Sequence, residues 1–151
     1  MNESIFSREL RKSLVLEGAY FLKMTGGQFV TPGIPDLIGC YNGRFIAIEC
    51  KQIKHRPKSS KSILWNHIFT DDQIFHLQNI VAYKGRAYGV IHLAYLRPQI
   101  ALALSIINIQ HLIKVTLGDI EELVLRSNHE HMVIPRQTGG VWDVTSFLEW
   151  V

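Results

Sequence analysis

Asp36-Leu-Ile-Gly-Cys-Tyr-Asn-Gly-Arg-Phe-Ile-Ala-Ile-Glu-Cys-Lys51 is the stretch on which the fold turns. Two short apolar runs, 36–41 and 44–50, are separated only by Asn42-Gly43. Asn-Gly suits a two-residue hairpin turn because both central residues must take positive φ. Such a turn fixes the register: Tyr41 pairs with Arg44, Cys40 with Phe45, Ile38 with Ala47, and Asp36 falls opposite Glu49. Like charges directly opposite destabilise a ladder, and neighbouring carboxylates resist joint ionisation. The pair therefore calls for a compensating cation. Lys51, two residues beyond Glu49, projects to the same face, and the hard oxygen donors suit a divalent ion, magnesium above all. The competing reading is a chance trio on a water-facing hairpin, because Asp, Glu and Lys at this spacing are a weak signal without the turn arithmetic.

With Pro35-Asp36 and Glu49-Cys50-Lys51 so placed, the chain resembles the PD-(D/E)XK nuclease superfamily. The wider string from Gly33 to Lys51 is similar to its VRR-NUC and archaeal-type Holliday junction resolvase branch, phage versions included. The likeness runs from the N-terminus to about Tyr95 and is faint beyond. It implies a metal held by Asp36, Glu49 and the Cys50 backbone carbonyl, with Lys51 orienting the attacking water or stabilising developing charge. It implies magnesium as the cofactor, with manganese as a substitute. The activity it implies is a DNA endonuclease acting on branched DNA, as a homodimer whose two sites cut opposing strands. A flap- or single-strand-directed repair nuclease is the alternative within the same chemistry. A DNA-binding protein of nuclease fold that no longer cuts is the alternative outside it, and the intact Asp36, Glu49 and Lys51 argue against that one. A site-specific restriction enzyme is disfavoured, since 151 residues leave little for a separate base-reading module.

Upstream, Asn2 can cap a helix running to about Glu17, with Phe6, Leu10 and Leu14 on one face and a stop at Gly18. Glu3 lies on nearly the same side as Leu10 and Leu14, and the resemblance implies an N-terminal helical glutamate that completes the metal site. Glu9 competes for that role, because the apolar arc is broad enough to include it. An acidic residue in a first turn is also favourable against the helix dipole whatever else it does. Tyr20 to Lys23 reads as the first strand, with Lys23 a candidate DNA contact, and Thr25 to Gly33 as a loop into the hairpin.

Downstream, Lys51, Lys54, Arg56, Lys58 and Lys61 crowd eleven residues, with no acidic residue before Asp71. This reads as a solvated loop that contacts phosphates through Lys54, Arg56, Lys58 and Lys61. Trp65 either stacks on an unpaired base or packs against its own domain. Thr70 and Gln73 form a capping box for a second helix through Ile74, Leu77 and Ile80 to Lys84, stopped at Gly85. The resemblance gives Gln73 a second reading, an amide in the active site. Ala87 to Tyr95 is a further strand.

The expected fold is therefore α/β, a restriction-endonuclease-like core of order α-β-β-β-α-β whose mixed sheet is flanked by helices. One domain is expected over 1–151, its core about 1–95 and a C-terminal extension about 96–151 that widens the sheet or forms a dimer surface. Within that extension, a strand over Ile100 to Ser105, a short helix around Ile109 to Leu112, a helix to Leu125, a strand at Met132 to Pro135 and a helix from Thr145 are expected. His129-Glu130-His131 reads as a polar surface turn rather than a metal site.

Hydrophobic content of 47 % with 19 % charged residues supplies ample core. The net charge of +3 argues little for nucleic acid by itself. No apolar run approaches the ~18 residues of a membrane span, and the polar N-terminal helix is unlike a signal peptide, so the expected compartment is the cytoplasm. Cys40 and Cys50 fit that compartment as buried thiols too far apart along the hairpin to bond.

Overall fold

The structure is a computed structural model that describes residues 1–25, 31–58, 63–64, 68–111, 114–125 and 131–151. Helix α1 (Glu3–Leu16) begins where the Asn2 side chain accepts the Ile5 N–H at 2.9 Å. It buries Phe6, Leu10 and Leu14 completely. Gly18, at φ +88°, supplies the left-handed residue that ends it. Strands β1 (Tyr20–Lys23), β2 (Leu37–Tyr41) and β3 (Arg44–Ile53) follow as an antiparallel meander. At its tip Asn42 and Gly43 both take positive φ, +53° and +77°. The pairing Tyr41↔Arg44, Cys40↔Phe45 and Ile38↔Ala47 is the register expected from the sequence.

After the two-residue strand β4 (Ile63–Leu64), α2 (Asp71–Ala82) carries the chain back so that β5 (Arg86–Leu93) lies parallel to β3. Then come β6 (Ile100–Ser105), α3 (Ile106–His111), β7 (Lys114–Val115), α4 (Leu117–Leu125), β8 (His131–Gln137), β9 (Val141–Trp142) and α5 (Thr145–Trp150). The main sheet has seven strands in the order β1-β2-β3-β5-β6-β8-β9, and β4 pairs with β7 in a separate ribbon. Among the described residues the only parallel neighbours in the main sheet are β3 and β5, joined by a crossover through a helix. The fold is thus mixed α/β with helices on the sheet, as expected. The C-terminal third widens the sheet through β6, β8 and β9.

One core, built on Phe6, Leu10, Leu14, Ile46, Ile48 and Trp142, lies under α1 and α5. The other, around Phe69, Leu77, Ile91, Leu104 and Ile109, lies under α2, α3 and α4. Strand alternation therefore sends Ile46, Ile48 and Cys50 to the α1 face, and Glu49 and Lys51 to the α2 face.

Three expectations need correction. The left-handed residue at the end of α2 is Lys84, φ +73°, and not Gly85. Gly85 is needed for closeness, since a Cβ there would sit 2.6 Å from the Ile80 side chain. Cys40 is exposed, because the β2 face opposite the core is open; Cys50 is buried. The short helix begins at Ile106, not near Ile109, because the Ser105 hydroxyl accepts the Asn108 N–H at 3.3 Å and starts the turn earlier.

Candidate active site

Pairing of β2 with β3 ends at Leu37↔Ile48, so Asp36 leaves the ladder one step later, beside Glu49. Asp36 Oδ2 accepts the Cys50 N–H at 2.8 Å, which ties this carboxylate to the strand bearing Glu49 and Lys51. Glu49 is 3 % exposed. Its Oε1 accepts from Gln73 Nε2 at 2.7 Å and lies 3.4 Å from Lys51 Nζ, whereas Oε2 is buried without a donor. Burial above all, and then the charge of Asp36, push the Glu49 carboxyl up to about 8, with Lys51 opposing. Two facing carboxyls can share a hydrogen bond only while one keeps a proton. Once both ionise, Glu49 Oε2 has no donor and Asp36 repels the carboxylate, with Lys51 opposing.

Gln73 closes the capping box and also reaches Glu49. Its side chain accepts the Thr70 N–H at 2.9 Å and its N–H donates to Thr70 Oγ1 at 3.2 Å, closing the capping box. The same side chain's Nε2 is the group that reaches Glu49. The loop before β2 buttresses this turn: Gly33, φ +81°, packs where a Cβ would lie 2.5 Å from the Asp72 carbonyl carbon, and His76 Nε2 hydrogen-bonds the Pro32 carbonyl oxygen at 3.1 Å.

Glu3 arrives from the other face of the sheet, at the first turn of α1. Its carboxylate stands 4.0 Å from Lys51 Nζ, and burial raises its pKa while Lys51 opposes. Glu3, Asp36, Glu49, Lys51 and Gln73 thus come together at one end of the hairpin. Cys50 lies between Glu49 and Lys51 with its thiol turned into the α1-side core, where burial raises its pKa. Among the described residues no three His, Cys, Asp or Glu side chains are gathered tightly enough to hold a metal ion by themselves. Asp36 and Glu49 supply a pair of hard donors, and the orphaned Glu49 Oε2 is an acceptor that a hard cation fits.

Glu9 is elsewhere. It accepts from Arg136 Nη2 at 3.2 Å and from Trp142 Nε1 at 3.1 Å, clamping α1 to β8 and β9. Lys23 spends its ammonium on Ser4, donating to the carbonyl at 3.1 Å and the hydroxyl at 2.9 Å. Lys54, Arg56 and Lys58 are exposed beyond Lys51, and Arg56 lies 3.5 Å from the Glu121 carboxylate. Lys61 and Trp65 lie outside the described residues, as do His129 and Glu130. His131 is buried at the start of β8 and hydrogen-bonds the Leu123 carbonyl oxygen at 2.9 Å, so it belongs to the α4 packing and not to a surface turn.

Beneath the site lies a polar chain that sequence reasoning missed. Gln52 Nε2 donates to the Met1 carbonyl and to His92 Nδ1, both at 3.0 Å, and His92 Nε2 reaches Gln99 Oε1 at 3.2 Å. Gln52 and His92 are partners in the parallel β3–β5 register. Its only sequence signal is that both occupy inward positions of otherwise apolar strands.

No protein-family model matches the chain, and no curated protein is similar to it. Among solved structures, it is similar to the Archaeoglobus fulgidus Hjc, a Holliday junction resolvase from an archaeal hyperthermophile, at 18 % identity and a TM-score of 0.55. The match covers 79 % of this chain and 92 % of that one. At this identity the likeness is one of fold.

Proposed function

We propose that this chain is a divalent-metal-dependent endodeoxyribonuclease that hydrolyses phosphodiester bonds in branched DNA, working as a homodimer with magnesium and accepting manganese. The observation that carries the reading is the Asp36–Glu49 pair, with Lys51 and Gln73 bound to one Glu49 oxygen and the other oxygen left without a donor. The shared fold with a solved resolvase supports it.

Asp36 and Glu49 would hold the ion with the Cys50 carbonyl beside them, and Glu3, next to Lys51, would complete the set by closing on the metal. When bound, the metal supplies a water of lowered pKa and polarises the phosphate. The protein's own groups do the rest. Gln73 fixes Glu49 Oε1 and leaves Oε2 free to act as a metal ligand. The Lys51 ammonium, between Glu49 and Glu3, stabilises negative charge as it develops on the phosphoryl oxygens. Lys54, Arg56 and Lys58 follow on the same strand exit, where flanking phosphates would meet them.

Wild type and Asp36→Asn are compared on labelled four-way junction, flap, single-stranded and linear duplex DNA with magnesium. Paired symmetric cuts confined to the junction are expected from wild type. Asp36→Asn is expected to abolish cleavage while binding DNA as tightly or more so, since a repulsive carboxylate is gone. Flap or single-strand cutting would move the substrate to repair intermediates, and wild-type cutting by Asp36→Asn would refute the site.

A further inference from the structure

Glu3 sits on the first turn of α1, the least secured part of a helix, because the leading N–H groups have no partner within the helix. Its main chain is nevertheless tethered on both sides. Two residues before it, the Met1 carbonyl accepts from Gln52 Nε2 at 3.0 Å. One residue after it, the Ser4 carbonyl and hydroxyl accept from Lys23 Nζ at 3.1 and 2.9 Å. The two tethers come from different strands, β3 and β1.

The Gln52 tether is itself held from behind. Its amide nitrogen also donates to His92 Nδ1, so the imidazole carries its proton on Nε2 and passes it towards Gln99 Oε1. His92 is fully buried, and burial holds its pKa below the usual value, which favours the neutral ring. Its ring packs against Phe6, one turn beyond Glu3, at 5.0 Å, and against Trp142 at 5.2 Å. A part-buried chain of three polar side chains, with His92 fully buried at its centre and Gln52 Oε1 left without a partner, lies under the apolar face of α1, where each bond made offsets desolvation. It ends on a carbonyl two residues from a carboxylate of the site.

From this we infer that Gln52, backed by His92 and Gln99, is a positioning residue: it fixes the first turn of α1 so that Glu3 is delivered to the metal beside Lys51, with Lys23 as the second tether. The inference rests on the metal-site reading above. Outer partners of metal ligands typically change affinity by about 10–100-fold when removed; a tether acting through the main chain should lie at the low end, roughly tenfold.

The test is manganese affinity, read by the electron paramagnetic resonance of free Mn²⁺ and by calorimetry, with no substrate present. Glu3→Gln, Gln52→Met, Lys23→Met and the double variants with Glu3→Gln are compared. Gln52→Met and Lys23→Met are each expected to weaken manganese binding, Gln52→Met by roughly tenfold, and to add nothing further in the Glu3→Gln background. Circular dichroism confirms folding, and should Gln52→Met fail to fold, Lys23→Met, at a half-buried position on the edge strand β1, carries the test alone. Unchanged affinity in a folded tether variant, or an equal loss with and without Glu3, overturns the positioning role. Unchanged affinity in Glu3→Gln overturns the assignment of Glu3 to the metal, a separate failure.

Discussion

Glu49 carries the tension of the site in one side chain. Its ionised form is penalised in the folded state, burial being the larger cause and Asp36 the next. The sign follows from linkage: a carboxyl raised from 4.5 to about 8 on folding binds a proton more tightly in the native state than in the unfolded one. Stability from this group is present at acid pH and is lost as pH rises across that interval. Thermal melts in EDTA at about pH 5 and about pH 8 should show metal-free protein losing stability towards alkaline pH. Glu49→Gln should flatten this loss, and magnesium should offset it in wild type. A melting temperature that rises with pH in metal-free wild type, with Glu49→Gln unchanged, would contradict the placement. Gln73 makes two sets of contacts at once: the capping box uses its N–H and Oε1, and leaves Nε2 for Glu49.

At the scale of elements, the parts legible in the sequence are those whose chemistry is local. Asn42-Gly43 set the β2–β3 register through backbone φ alone, and Asn2, Thr70 and Gly18 marked helix ends through hydrogen bonds a few residues long. Strand β6 was readable at its bounds despite a continuously apolar stretch, but the β4–β7 ribbon and β9 were not. Two-residue strands carry no period, and they exist only because a distant partner pairs with them. The Gln52–His92–Gln99 chain was hidden for the same reason: nothing local links positions forty residues apart. Glu3 and Glu9 were inseparable by helical angle. What separates them is tertiary, since Glu9 meets Arg136 and Trp142 while Glu3 meets Lys51. The element most exposed to a single change is the loop before β2. Gly33→Ala needs a positive φ and drives a methyl into Asp72 at the start of α2. A loss of about 1–3 kcal/mol is expected in denaturant unfolding, together with weaker cleavage as Gln73 shifts. An unchanged unfolding midpoint would show that the contact relaxes freely.

Across the whole molecule, a net charge of +3 is small, yet the basic residues after Lys51 meet only Glu121 as a recorded ion-pair partner among the described residues. Phosphate contact there has a salt signature: Lys54→Ala with Lys58→Ala should lower the slope of log affinity for duplex DNA against log salt by about 2. An identical slope would mean that this exit from β3 faces solvent only.

The clamp that joins α1 to β9 also sets an order of events. Trp142 N–H donates to Ser13 Oγ at 2.9 Å, and Glu9 binds both Arg136 and Trp142. The helix that presents Glu3 is therefore seated on a strand made more than a hundred residues later. During synthesis the leading helix leaves the ribosome long before its seat does, and Glu49 emerges before the Gln73 that holds it. Without β9, α1 loses the contacts that Glu9 and Ser13 make with Trp142. On the proposed reading, a chain that stops short of Trp142 would lack the seat of the helix that carries Glu3.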